Sequence, residues 1–289
     1  MSSDTSNYEA LLRKTENEQL EELASVYHQL GCLVGNSNQA ISFLQQSIEI
    51  NLYYRPTDYD LLYLTYEHLG SLFSQHADYN QALKYNRRAL DLDLHDREAN
   101  QLRIANRYNA IGLIMKAQKN YKEALKHFHD ALQIQLQNIS PDDLSLVATY
   151  SNLGSTYRSL RECPSAIEYF ERSLEIIKQN LPQQRALLVY TYNKIGSVFC
   201  LMRDYSKALS CQTKALHIQE DLLPLNNLLL ATRHFNMAIA LEGLKRFEDA
   251  FEHVTQAVNI LKQTDNPHRR KLSHYQKYLN ILRKKKQLK

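Results

Sequence analysis

Glycine and proline are scarce in this sequence. Its 289 residues include 7 Gly and 6 Pro, too few for a chain dominated by turns or flexible linkers, and suited to one that is almost wholly helical. No run of 18 apolar residues occurs, which excludes an ordinary transmembrane helix. The first residues, Met-Ser-Ser-Asp-Thr-Ser-Asn, lack the basic and apolar parts of a secretory signal. The four cysteines, Cys32, Cys163, Cys200 and Cys211, show neither metal-ligand spacing nor a paired framework. Free, buried thiols in a reducing cytoplasm, with no metal, are the expectation. Also missing are a glycine-rich phosphate loop, His-Glu-x-x-His and Gly-x-Ser-x-Gly, so no catalytic residue and no cofactor is expected. His127 and His129 are two apart on a helix, point in different directions and read as surface residues rather than metal ligands.

Charge is uneven. The net value is +4, but residues 268–289 hold nine Lys or Arg and no acid, so the rest carries −5. A weakly acidic body with a basic end argues against nucleic acid as a main partner. The run Arg283-Lys284-Lys285-Lys286 reads as the solubilising end of a last helix, with a nuclear import signal or contact with an acidic surface as sharper readings.

What the sequence does have is a repeat. Residues 108–134 read as two amphipathic helices joined by a polar turn. With Gly112 as reference, equivalent points fall at His28, Gly70, Gly154, Gly196 and Ala238, each step being 42 residues without insertion. Twelve residues after each point lies alanine: Ala40, Ala82, Ala124, Ala166, Ala208 and Ala250. Seven further on comes a small residue, then an aliphatic. Four before the point sit Tyr66, Tyr108, Tyr150 and Tyr192, with His234 in the last repeat and Ala24 in the first. A fixed period of this length marks a stacked array rather than a single core. Glycine inside a helix costs about 1 kcal/mol relative to alanine. Its recurrence implies close approach of the first helix to the alanine of the second. Prolines fall between repeats, except Pro164, which opens a second helix.

The pattern Leu153-Gly154, Tyr157, Ala166, Phe170, Ser173 and Leu174, with its counterparts, resembles the tetratricopeptide repeat. The 42-residue period and the stretch 142–154 are similar to the kinesin light chain variety. That resemblance implies an all-α fold: a right-handed α-solenoid of six stacked helix-turn-helix units over 20–266. Residues 1–19 are expected to be partly disordered, and 267–289 to form a basic capping helix over the second helix of repeat six. It also implies a protein or peptide partner. The coiled coil by which kinesin light chains hold the motor chain has no counterpart in the short stretch before repeat one.

In each first helix the core face uses offsets −4, −1, 0 and +3 from the reference, and a second face uses −6, −3, +1 and +4. In tetratricopeptide arrays this second face lines a concave groove. The candidate groove residues are Asn106, Asn109, Lys116, Ser151, Asn152, Ser155, Arg158, Tyr190, Asn193, Lys194, Ser197, Phe235 and Ile239. Asn suits the backbone of an extended peptide, because it both donates and accepts. Lys and Arg suit an acidic side chain, and Phe235 with Ile239 forms an apolar patch. The expectation is a non-catalytic adaptor for an extended peptide with acidic and apolar anchors. One alternative is an accessory module of an enzyme or signalling complex. A chaperone carboxylate clamp ranks lower, because Asn193/Ser197 and Tyr190/Lys194 stand where it needs Lys/Asn and further basic residues.

Overall fold

The computed structural model describes residues 22–54, 59–95, 100–180, 184–220, 228–263 and 269–287. The segment 1–19 and Pro56, Pro182, Pro224 and Pro267 lie outside them. Every regular element among the described residues is an α-helix: α1 (residues 22–33), α2 (Ser37–Tyr54), α3 (Tyr59–Gln75), α4 (Tyr79–His95), α5 (Gln101–Ala117), α6 (Tyr121–Asn138), α7 (Leu146–Leu160), α8 (Cys163–Gln179), α9 (Arg185–Leu201), α10 (Tyr205–Glu220), α11 (Leu228–Gly243), α12 (Phe247–Gln263) and α13 (Arg269–Gln287). Among the described residues no helix is long and apolar enough to cross a membrane.

Two compact units divide the chain, Met1–Asn138 and Ile139–Lys289. In the first, α3 packs on α4 and α5 on α6, while α2 meets α3 and α4 meets α5. In the second, α7–α8, α9–α10 and α11–α12 are the pairs. There α8 meets α9, α10 meets α11, α12 meets α13, and the first helices α7, α9 and α11 touch in succession. Within each unit the helix hairpins stack on one another, the all-α architecture expected of helical repeats.

From the second pair to the sixth, the turn is set seven residues after the reference point. Ala77, Lys119, Arg161, Arg203 and Lys245 all adopt φ between 60° and 65°. None is glycine. The residue after each donates its N–H back to the first helix, as in Asn120 N to Met115 O at 2.9 Å and Glu162 N to Tyr157 O at 3.0 Å. This is the Schellman closure, which satisfies the carbonyls left open at a helix end. In α4 and α10 the same turn residue caps the next helix: the Asp78 and Asp204 carboxylates accept from Gln81 N (3.1 Å) and Lys207 N (3.2 Å).

The six recurring alanines are buried, none more than 1% exposed, and so are the six small residues that follow them. The glycines make a different contact from the one the sequence suggests. A Cβ on Gly70, Gly112, Gly154 or Gly196 would strike Asn86, Phe128, Phe170 or Gln212, at distances of 2.3, 2.6, 2.9 and 2.6 Å. Each partner lies sixteen residues on, one turn beyond the alanine. The glycine is a socket for this larger side chain. In the first pair the socket has moved one turn to Gly31, whose Cβ would meet Leu44 at 2.6 Å. That leaves position 28 free to carry histidine.

Helix α13 occupies the register of a further first helix. Tyr275 stacks on Phe235 with centroids 3.9 Å apart. Tyr278 donates to Glu242, and Lys285 pairs with the same carboxylate at 2.5 Å. Expected to cover the second helix of the last pair, α13 covers the first helix as well.

Candidate functional site

Within the first unit, the face at offsets −3, +1 and +4 opens into a cleft of about 440 Å³. Glu67, Ser71 and Ser74 of α3 and Leu113 of α5 line it, with Arg107 and Asn86 at its floor. The Asn86 amide donates to Ala82 O at 2.8 Å, which turns its oxygen toward Arg107; the guanidinium donates to it at 3.0 Å. The same guanidinium pairs with Glu67 and is 6% exposed. Beside it, Arg103 pairs with Asp93 and, at 3.0 Å, with Asp60. The Arg103 guanidinium lies 3.9 Å from the Tyr63 ring centroid, a cation–π contact. This floor is a polar network in which the charges have counter-charges, with the Arg107 Nε left unmatched among the described residues. Asn106 is exposed on α5, while Asn109 and Lys116 are half-buried. None of these three lines the cleft.

A rule of contact follows. The residue at −3 of one first helix meets the residue at −5 of the next, as in Glu67 with Arg107 and Phe235 with Tyr275. In α9 and α11 these positions hold Asn193 and Arg233, and the counterpart of Asn86 is Gln212. The carboxylate is missing from this second set. Arg233 is 1% exposed, yet none of its three guanidinium nitrogens has a hydrogen-bond partner among the described residues. Gln212, fully buried, has neither its oxygen nor its nitrogen satisfied, and the Asn193 oxygen is likewise unmatched. Burial holds the Arg233 guanidinium down at about 10. A buried charge without a counter-ion costs several kcal/mol, roughly, so this site is poised to gain from an anion.

The other candidates in the second unit fall into three groups. Arg158 is half-buried with its Nε unmatched. Lys194 sits 4.7 Å from the centroid of Tyr190, which is exposed, and Asn152 is half-buried. The serine hydroxyls are engaged or enclosed: Ser197 donates to Lys194 O at 2.7 Å, Ser151 meets Ser173 at 3.4 Å, and Ser155 is buried. Phe235 and Ile239 correct the expectation of an open apolar patch. Phe235 is 6% exposed and Ile239 packs against the same core, because α13 lies over them.

Several further readings change. His127 and His129 are half-buried rather than on the surface, and His127 stacks on Tyr108 with centroids 5.8 Å apart. Among the cysteines Cys32 is exposed and the other three are half-buried; all four are free. Burial pushes the Cys200 thiol up to about 11, away from reactivity. Sequence reading missed Arg233 and Gln212 because they lie off the expected groove offsets. The available signal was the equivalence of Arg107 and Arg233, which stand at the same register position three repeats apart.

The sequence profile of the tetratricopeptide repeat matches residues 103–179 and 187–263, together more than half of the chain. No curated protein sequence matches. Among solved structures, BtubC (BKLC) from P. vanneervenii is 20% identical, with a TM-score of 0.67 over 79% of this chain and 93% of that one. A putative kinesin light chain of Podosopora anserina with nearly identical TPR-like repeats is 14% identical, TM-score 0.61, covering 68% and 92%. The apo form of RapI is 14% identical, TM-score 0.69, covering 96% and 72%. At these identities the likeness is one of fold. With its helix pairs, its 42-residue register and the matched profile, the chain belongs to the tetratricopeptide repeat family, whose arrays are protein–protein interaction scaffolds.

Proposed function

We propose that this protein is a non-catalytic adaptor that binds an extended, acidic segment of a partner protein. The observation that carries the reading is the orphaned polar set in the second unit. Asn193, Gln212 and Arg233 stand where the first unit has Glu67, Asn86 and Arg107, but without the carboxylate. An aspartate or glutamate of the partner would supply it. A guanidinium accepts a carboxylate through two parallel bonds, and the amides of Asn193 and Gln212 offer further donors. Arg158, Lys194 and the exposed ring of Tyr190 would extend contact along the segment. The cargo-adaptor role implied by the kinesin light chain resemblance is one form this could take, and the free cysteines fit work in a reducing cytoplasm.

One substitution separates this reading from a purely structural one. Asn193→Glu places on α9 the carboxylate that Glu67 provides on α3. It should pair with Arg233 and raise the melting temperature by several degrees. At the same time it should occupy the partner's place and repel its acidic residue. On an array of short peptides each carrying one Asp or Glu, the wild-type chain should select a subset. Asn193→Glu should bind that subset at least about tenfold more weakly. Unchanged affinity would remove the acidic-peptide reading, whatever happens to stability.

A further inference from the structure

We propose that His28, Cys32 and His68 form a zinc-binding site in the first unit. His28 and Cys32 are one turn apart on α1 and share a face, and His68 comes from α3. Their ligating atoms all lie within 4.8 Å of one another. Cys32 Sγ is 3.5 Å from His28 Nε2 and 3.3 Å from His68 Nδ1. A tetrahedral zinc with Zn–N of about 2.0 Å and Zn–S of about 2.3 Å holds its nitrogen and sulfur ligands about 3.5 Å apart. The thiol sulfur is therefore already near coordination spacing from both imidazole nitrogens.

The surrounding bonds prepare one of these ligands. Thr65 is fully buried, and its hydroxyl gives its single hydrogen to Leu61 O at 2.7 Å. Its contact with His28 Nδ1, at 3.0 Å, must then be one in which the imidazole N–H donates. That fixes the His28 tautomer and leaves the Nε2 lone pair facing Cys32. A ligating histidine held by its other nitrogen in this way is the usual supporting arrangement of metal sites. The backbone also makes room. Because the helix-packing socket has moved to Gly31, position 28 carries a side chain instead of the glycine found in four other repeats.

A thiolate with two imidazoles is a donor set for zinc or cuprous copper rather than for calcium or magnesium. Zinc would displace the Cys32 thiol proton to solvent, giving one S–Zn bond and one proton released per ion. Exposure of Cys32 leaves the fourth position to water. The ion would bind α1 to α3, and so the degenerate first pair to the next.

The test is a competition titration of the full chain, stripped of metal, against a chromophoric zinc chelator. One zinc per chain should bind. Cys32→Ser and His68→Ala should each weaken it by at least about 100-fold, and Thr65→Val by about tenfold. Cobalt in place of zinc should give a thiolate charge-transfer band that Cys32→Ser abolishes. Zinc should raise the melting temperature of the wild type and leave that of Cys32→Ser unchanged, while metal-free melts show that the variants fold. Zinc affinity unaffected by Cys32→Ser and His68→Ala would overturn the proposal. So would binding of buffered cuprous ion at these residues where zinc does not bind.

Discussion

A single methylene decides the fit of a helix pair built on a glycine. The Cβ that alanine would add at Gly112 falls 2.6, 2.8 and 3.0 Å from three atoms of the Phe128 ring, itself fully buried. An aromatic ring cannot fold away as a flexible side chain can. Overpacking of this kind costs about 1–3 kcal/mol, while alanine recovers about 1 kcal/mol of helix propensity. Gly112→Ala should therefore destabilise the chain by about 1 kcal/mol net. In Phe128→Leu the same alanine should be tolerated, so the double variant should be more stable than the two single effects predict. Urea unfolding of the four proteins checks this, and strict additivity would show that the socket is elsewhere. The sequence made the glycines visible but not their partners. Leu44, Asn86, Phe128, Phe170, Gln212 and Val254 share a position and no chemistry, so recurrence of residue type points to the constant alanine instead. Arg233 was obscured for a related reason. Its meaning comes from what Asn193 lacks, and an absence is legible only beside the complete Glu67–Arg107 pair.

Pairs of helices carry a second regularity, an aromatic clasp between offsets −4 and +15. Tyr66 meets Tyr85, Tyr108 meets His127, and Tyr150 meets Tyr169, at 6.0, 5.8 and 6.2 Å between centroids. In α11 and α12 the clasp is His234 on His253 at 5.2 Å, with the two Nδ1 atoms 2.9 Å apart. Burial, His253 and Arg233 hold His234 down at about 4. His253 is also lowered, chiefly by burial, against the pull of Glu252 and Asp249. The sign follows from the depressed folded value. Above the ordinary imidazole range both states are neutral and stability is complete. As pH falls from about 6.5 toward 4, the unfolded chain takes a proton that the folded chain refuses, so stability declines through that window. His234→Tyr recreates the clasp of α5 and α6. Its melting temperature should match or exceed the wild type at neutral pH and pull further ahead as the pH drops to about 5. Parallel pH profiles for the two proteins would refute the assignment. At this scale the period, the helices and the tyrosines were legible. What was not legible is the cross-pair geometry, in which residue +4 of one first helix meets residue −2 of the next. That contact joins Cys32 to His68 and Glu242 to Tyr278 across 36 residues, beyond any local motif.

Across the whole molecule, stability in a stacked array is a sum of each repeat's own stability and its contacts with its neighbours, so damage should spread no further than the next few contacts. The far end of the second unit offers a clean place to test this. Tyr275 of α13 is 4% exposed, stacks on Phe235 and belongs to one core with Val254, Val258 and Leu261 of α12. Cutting so large a buried aromatic to alanine costs about 3–5 kcal/mol, while α13 retains Leu282, fully buried, and the Tyr278–Glu242 bond. In Tyr275→Ala, amide hydrogen exchange should therefore quicken in α11, α12 and α13. Rates in α3 to α6 of the first unit should stay those of the wild type. Phe235, relieved of its cover, should become the open apolar surface that its offset led the sequence reading to expect, detectable as new binding of a hydrophobic dye. An equal loss of protection from α3 through α13 would instead mean that the 289 residues unfold as one cooperative body. In that case the 42-residue repeat would describe the chain's construction without describing its energetics.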